Sequence, residues 1–342
     1  MEKILIHFGT QQTFHIGDPS EIYAVRRAGA NLAKNIGFSD LRKAQLELVI
    51  TEAGTNIIKH AQRGQILIRS LFHEKDFGIE IIAIDNGPGI TNVDFLMEDG
   101  NSTTGTYGGG LGAMNRLTQE FEIYSNGSQG TSVLMVIWAD KIPTPHPQWK
   151  IGAVCIPIEG EEICGDAWGV EVDGDNLTLL VADGLGHGPD AAKASLTAVD
   201  ALAANIGKTP AILMNCAHNA LHGTRGAAVA ITQINETRNE IKFAGIGNIA
   251  VSIFINDGRK HLLSHNGIVG SNLRKVQEIN QLWEDDGLLI AHSDGLGTRW
   301  ELEKYPGLSR AHPSLIAAVL YRDFSRGRDD VTVVVVRDIQ EF

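Results

Sequence analysis

The chain has 342 residues, a formal net charge of −12, ordinary apolar content and three cysteines. That length suits two domains, each large enough for its own core, and the charge disfavours nucleic acid and anionic membrane as partners, since both select basic patches. No stretch approaches the roughly 20 apolar residues that span a bilayer, and the start, Met1-Glu2-Lys3-Ile4-Leu5-Ile6-His7, reads as a strand and not as a cleavable signal, so the cytoplasm is the expected compartment.

Helical periodicity runs from Glu21 to Asn35 and from Leu41 to Ala61, with Ser39 or Asp40 available to cap the second helix. Gln65–Phe72, Gly78–Ile84, Phe121–Ser125 and Thr131–Trp138 alternate as strands, and Leu111–Gln119 reads as a helix opening from a glycine run. This order predicts an α/β sandwich over residues 1–139, a mixed sheet with helices on one face. Residues 140–149 carry Pro143, Pro145 and Pro147 at alternate positions and predict a stiff connector. From 150 to 342 strands predominate: 151–158, 167–172, 177–182, 227–234, 240–244, 250–255, 287–291 and 331–337. Helical patterns lie at 189–205, 210–222 and 313–324, which together predict a two-sheet sandwich flanked by helices. The overall fold class is α/β with extensive antiparallel sheet (α+β).

Glu52 and Asn56 lie four apart on a helix and share one face. Asn56 can offer a hard Mg²⁺ its amide oxygen, and Glu52 can orient or deprotonate an attacking hydroxyl. Asp85 ends an apolar strand before the turn Asn86-Gly87-Pro88-Gly89. There a carboxylate can accept from an adenine amino group while glycines let backbone approach a flat base. Gly108, Gly109, Gly110, Leu111 and Gly112 run into a helix whose positive end faces whatever the loop holds. Taken singly these are a polar stripe, a tight turn and a linker. In this order they resemble the GHKL ATP-binding fold of histidine kinases, gyrase and Hsp90, over about residues 10–138. The T-E-A-x-x-N helix and short G-G-G-L-G lid look most like the anti-sigma-factor serine kinases. The resemblance implies ATP with Mg²⁺ as cofactors, Glu52 as catalytic base, Asn56 as Mg²⁺ ligand, Asp85 as adenine reader, Gly108–Gly112 as phosphate lid and Thr131 near the adenine.

Asp166, Asp183, Asp294 and Asp329 each sit in a turn beside an apolar strand. Dispersed carboxylates that converge are what a pair of Mg²⁺ or Mn²⁺ ions needs. The motifs D-G-L-G-H-G, S-D-G and G-R-D-D-V-T together resemble the PPM-type serine/threonine phosphatases, in particular the SpoIIE-like branch. The resemblance makes Asp183 the catalytic bridging carboxylate, adds the Gly184 carbonyl as a metal ligand, and completes two metal shells with Asp166, Asp294 and Asp329. Cys164 stands where the family usually has glycine, and no counterpart of the phosphate-gripping arginine of eukaryotic members is evident. His187 reads as a turn-stabilising residue or as an acid for the leaving group. His218 and His222, one helical turn apart, lack a third ligand and read as an ordinary pair.

The combined expectation is a regulator that phosphorylates and dephosphorylates a STAS-type anti-anti-sigma protein. Two rivals stand beside it: a phosphatase whose ATP module only senses nucleotide, and a module that sequesters a sigma factor or STAS partner. Whether the chain pairs with a second copy of itself stays open.

Overall fold

The computed structural model describes the chain except residues 1, 2, 9, 74, 75, 94–109, 128, 141, 144–147, 175, 236, 256, 257, 274, 285 and 340–342. Two units interleave along the sequence. One gathers Phe8–Thr144 with Glu301–Arg322, the other Met1–His7 with Pro145–Trp300 and Asp323–Phe342. Much of the expected connector lies outside the described residues, and Trp149 already opens a strand.

Strand β1 (Lys3–Phe8) begins the chain. In the first unit, β2 (Gln12–Ile16) precedes helices α1 (Pro19–Asn35) and α2 (Asp40–Asn56). Asp18 caps α1, its Oδ1 accepting from the Ser20 N–H while Glu21 reaches back to the Asp18 N–H at 2.9 Å, a reciprocal box that satisfies N–H groups no helical carbonyl can reach. Ser39, and not Asp40, caps α2. Strands β3 (Gly64–His73), β4 (Asp76–Asp85), β5 (Glu120–Ser125) and β6 (Thr131–Trp138) follow, with helix α3 (Gly110–Leu117) before β5. All pair antiparallel: β2 with β3, β3 with β4, β4 with β6, and β6 with β5.

Period-two alternation sends Ile66, Ile68, Ile79, Ile81, Val133 and Met135 to one face, where Val25, Leu46, Val49 and Ile50 of α1 and α2 close the core. The opposite face, with Leu67, Arg69, Glu80, Ile82 and Leu134, is buried as well. Helix α6 (Pro313–Phe324), which belongs to this unit up to Arg322, meets that face: its Ser314 Oγ donates to Glu80 Oε2 at 2.8 Å.

The second unit holds two antiparallel sheets. In the first, β8 (Asp166–Asp173) lies between β1 and β9 (Asn176–Gly184), and pairing continues through β10 (Ala227–Asn235), β11 (Glu240–Ile246) and β14 (Ile279–Leu282). The second sheet runs β13 (Gly258–Leu262), β12 (Ala250–Ile255), β15 (Leu288–His292), β16 (Val331–Asp338), β7 (Trp149–Ile156). Val170, Leu179 and Phe243 of one sheet meet Val251, Leu289 and Val334 of the other to form the core between them. Helices α4 (Pro189–Ala203) and α5 (Pro210–Ala220) pack Ala198, Leu202, Leu213 and Met214 on the outer face of the first sheet. The mixed α/β architecture with antiparallel sheets agrees with the sequence expectation. Among the described residues no helix is long and apolar enough to cross a membrane.

Candidate functional site

In the first unit α2 ends at Asn56 and passes into a single π-type turn, Ile57–Ala61. Glu52 and Asn56 sit on one face of that last stretch, both half-buried. Gly110, the first residue of α3, faces them. A Cβ there would stand 3.2 Å from Glu52 Oε2 and 3.4 Å from Asn56 Oδ1, so the glycine lets α3 start close against the Glu52–Asn56 face. Leu111 and Gly112 continue α3, with Gly112 buried, whereas Gly108 and Gly109 lie outside the described residues.

Asp85 closes β4. Its Oδ1 accepts from the Gly87 N–H at 2.8 Å and the Thr131 N–H at 3.2 Å. Burial outweighs these bonds and raises its pKa. Gly130 has φ +76°, and a Cβ there would collide with the Asp85 carbonyl oxygen, so the G-T-S turn can press against the D-x-G-x-G turn only with glycine. Gly89 also has positive φ, beside Asn126. The fixed carboxylate, the adjacent glycine turns and the Glu52–Asn56 face suit a purine base and a Mg²⁺-bound triphosphate.

In the second unit Asp166 and Asp183 are direct register partners at the ends of β8 and β9, and the Gly184 N–H donates to the Gly165 carbonyl at 3.2 Å. Burial first, then repulsion from Asp294, Asp329 and Asp330, pushes Asp183 up to about 7. Burial, then Asp183, raises Asp166 in the same way. Asp166 Oδ2 is buried without a hydrogen-bond partner. A desolvated, orphaned carboxylate oxygen beside a second carboxylate is a costly arrangement that a divalent cation would relieve, so the residues fit the metals the sequence implies. The side chains approach without closing into a cage: among the described residues no group of three or more His, Cys, Asp and Glu stands at ligating geometry.

Asp330 has a structural task. Its carboxylate accepts from the Ile158 and Gly165 N–H groups, both at 2.8 Å, and so ties the 157–165 loop beside Asp166. Asn248 was not singled out from the sequence. Its Nδ2 donates to Asp294 Oδ2 at 2.7 Å, and its side chain also bonds Asp183, joining two carboxylates from distant strands. The Gly245-Ile246-Gly247-Asn248 turn after an apolar strand is the signal that could have found it. Ser293 bonds Asp166 through its side chain and accepts from the Thr332 N–H.

His187 Nδ1 is 2.8 Å from Glu161 Oε1, a pair that steadies the D-G-L-G-H-G turn. His218 Nδ1 accepts from the Gly270 N–H at 3.0 Å, which places the ring proton on Nε2 and leaves His218 no lone pair for a metal. Cys164 does lie close to the site, its Sγ 3.6 Å from Cys155 Sγ, and all three cysteines are free thiols.

Comparison with known proteins matches two consecutive stretches of the chain. Residues 17–137 match the family described as Histidine kinase-like ATPase domain, and residues 173–338 match Stage II sporulation protein E. Over 118 residues the chain is 39% identical to the serine/threonine-protein kinase RsbT of Bacillus subtilis (strain 168), covering 34% of this chain and 89% of that protein. A chain solved in work on the bacterial stressosome, a modular system adapted to control secondary messenger signaling, is similar at 29% identity and a TM-score of 0.52, covering 55% of this chain and 99% of that one. RsbX, solved in complex with magnesium, shares the fold at 22% identity and a TM-score of 0.52, covering 57% of this chain and 98% of that one.

Proposed function

Because this chain belongs in its first part to the histidine kinase-like ATPase family and in its second to the SpoIIE family, we propose that it is a partner-switching regulator with opposed activities. On this reading one site transfers phosphate from ATP to a serine or threonine, and the other removes it. The observation that carries the proposal is that one chain holds two separate sets of candidate residues, Glu52, Asn56 and Asp85 in one unit and Asp166 beside Asp183 in the other.

In the first site Asp85 accepts from the adenine amino group, and the Gly110 end of α3 offers backbone N–H groups to the phosphates. Asn56 would hold Mg²⁺ through its amide oxygen, and Glu52 would take the proton from the acceptor hydroxyl. In the second site Asp183 and the Gly184 carbonyl, with Asp166, Asp294 and Asp329, would hold two Mn²⁺ or Mg²⁺ ions, which would supply a hydroxide at neutral pH and charge stabilisation for the phosphoryl group. Asn248 keeps Asp183 and Asp294 aligned, and Ser293 does the same for Asp166. The substrate class we assign is a STAS-type protein, supported by the likeness to RsbT and to the stressosome chain.

The test follows phosphate by mass spectrometry when the protein meets STAS proteins encoded beside it, with Mg-ATP or with Mn²⁺. Wild type phosphorylates in the first condition and dephosphorylates in the second. Glu52→Gln should bind nucleotide yet transfer about 10²- to 10⁴-fold more slowly. Absence of transfer by the wild type to every partner would leave the first unit a nucleotide sensor.

A further inference from the structure

A two-metal phosphatase site is rich in anions, and its substrate adds another. Something cationic must take the outer phosphate oxygens, and no residue was assigned to that task from the sequence. We propose that Arg225 is the phosphate-gripping residue of the second unit, recruited from the turn between α5 and β10. The proposal rests on the phosphatase reading above and supplies its missing substrate contact.

The turn is built to deliver this side chain. The Thr224 N–H and Oγ both donate to the Leu221 carbonyl, and the Gly226 N–H donates to Thr224 Oγ at 3.0 Å. The Leu185 N–H then donates to the Gly226 carbonyl at 3.0 Å, and Ala227 pairs with Gly184 across the strands. Arg225 is therefore fixed beside the Asp183–Gly188 loop. Its Nη1 lies 3.0 Å from where a Gly186 Cβ would stand, and Gly186 has φ +89°. The Gly186 carbonyl in turn lies 3.5 Å from the equivalent point on Gly165, which precedes Asp166. The guanidinium thus stands beside the loop that follows Asp183, bonded to Asp190 and not to a proposed metal ligand.

Asp190 holds the fork in place, accepting from Arg225 Nη2 at 2.9 Å. Both side chains are at least half exposed, 50% for Arg225 and 68% for Asp190. An exposed pair of this kind contributes little to folding and breaks cheaply, so Asp190 acts as a rest from which Arg225 turns to a phosphate. A planar guanidinium matches two phosphate oxygens at once, which a lysine cannot do. Two further basic side chains among the described residues come from neighbouring turns. His187 is engaged by Glu161, and Arg328 is exposed beside Asp329 with no comparable structure orienting its side chain.

The probe is inorganic phosphate, the product of the reaction, titrated calorimetrically into the full chain loaded with Mg²⁺. Arg225→Ala should weaken phosphate binding about 10- to 100-fold, as expected for loss of a charge-assisted hydrogen bond. Arg225→Lys should recover part of the loss, and Arg328→Ala should bind phosphate as wild type does. Asp190→Ala should bind phosphate at least as tightly as wild type, since it frees the arginine. Mg²⁺ affinity should stay constant throughout, an outcome a merely structural role would not give. Unchanged phosphate affinity in Arg225→Ala, loss in Arg328→Ala instead, or no phosphate binding by the wild type would each overturn the proposal. Hydrolysis of a phosphoserine peptide separates the two readings. Turnover indifferent to Arg225 sinks this inference alone, whereas Arg225-dependent phosphate binding without turnover in the wild type sinks the phosphatase reading and keeps the anion site.

Discussion

At Asp183 burial and three neighbouring carboxylates push the pKa from 3.8 to about 7, and the direction has a consequence for stability. A carboxyl whose folded pKa exceeds its unfolded value takes up a proton on folding. Its contribution is fully present below about pH 4 and is lost as pH rises through about 7. In EDTA the melting temperature should therefore fall between pH 6 and pH 8, and Mn²⁺, which binds the ionised form, should reverse the fall. Asp183→Asn carries no charge to repel its neighbours, so in EDTA it should melt higher than wild type at pH 8 while losing dephosphorylation. A wild-type melting temperature that rises over that range in EDTA would contradict this account. In the other unit Asn56→Ala should abolish Mg-ATP binding, measured by calorimetry, and leave dephosphorylation intact. Asp183 and Asn56 stand out as candidates in the sequence because each sits in a local motif. Asn248 carries only the weak signal of a glycine turn after an apolar strand and Arg225 carries none, since their partners, Asp294 and Asp190, come from distant turns.

Among the elements, α6 shows most clearly where sequence periodicity stops informing. Its span, 313–324, follows from the pattern, and its run of buried residues from Pro313 to Tyr321 fits a helix apolar on every side. What it packs against does not follow. Ser314 meets Glu80, which pairs with the buried Arg69 at 2.7 Å, and Arg322 Nη1 donates to the Asp85 carbonyl at 3.2 Å beside the proposed adenine reader. Arg69→Met should cost about 3–5 kcal/mol by leaving the Glu80 charge buried alone, and adding Glu80→Leu should recover most of it. Urea unfolding of the full chain measures both, and a cost below about 1 kcal/mol for the single variant would contradict a charged pair there. Strands β2, β13 and β14 escaped the sequence reading for a different reason. Gln-Thr-Phe-His-Ile, Gly-Arg-Lys-His-Leu and Ile-Asn-Gln-Leu are short and mostly exposed, so no apolar alternation marks them.

For the molecule as a whole, a tether holds both proposed activities near one partner at an effective concentration of about millimolar. Asp183→Asn protein should then drive a single STAS partner towards full phosphorylation, while Asn56→Ala protein strips the same residue. Phosphosite mapping would show two different target proteins if the fusion were instead a relay. The sequence divides at a proline-rich stretch, but the structure draws its border elsewhere: residues 301–322, between Asp294 and Asp329, belong with Phe8–Thr144. The stems on either side are zipped together, the Gly297 N–H donating to the Phe324 carbonyl at 2.8 Å and the Arg326 N–H to the Gly295 carbonyl at 2.9 Å. Seen as heredity, that path welds the two halves into one gene. A single break near residue 145 would leave the first fragment without its α6 and the second without β1. Residues 8–144 expressed alone should therefore be poorly soluble, and a synthetic peptide of residues 301–324 should raise their melting temperature. Recombination that moved either unit intact into another protein would have to cut and rejoin the coding sequence at every crossing.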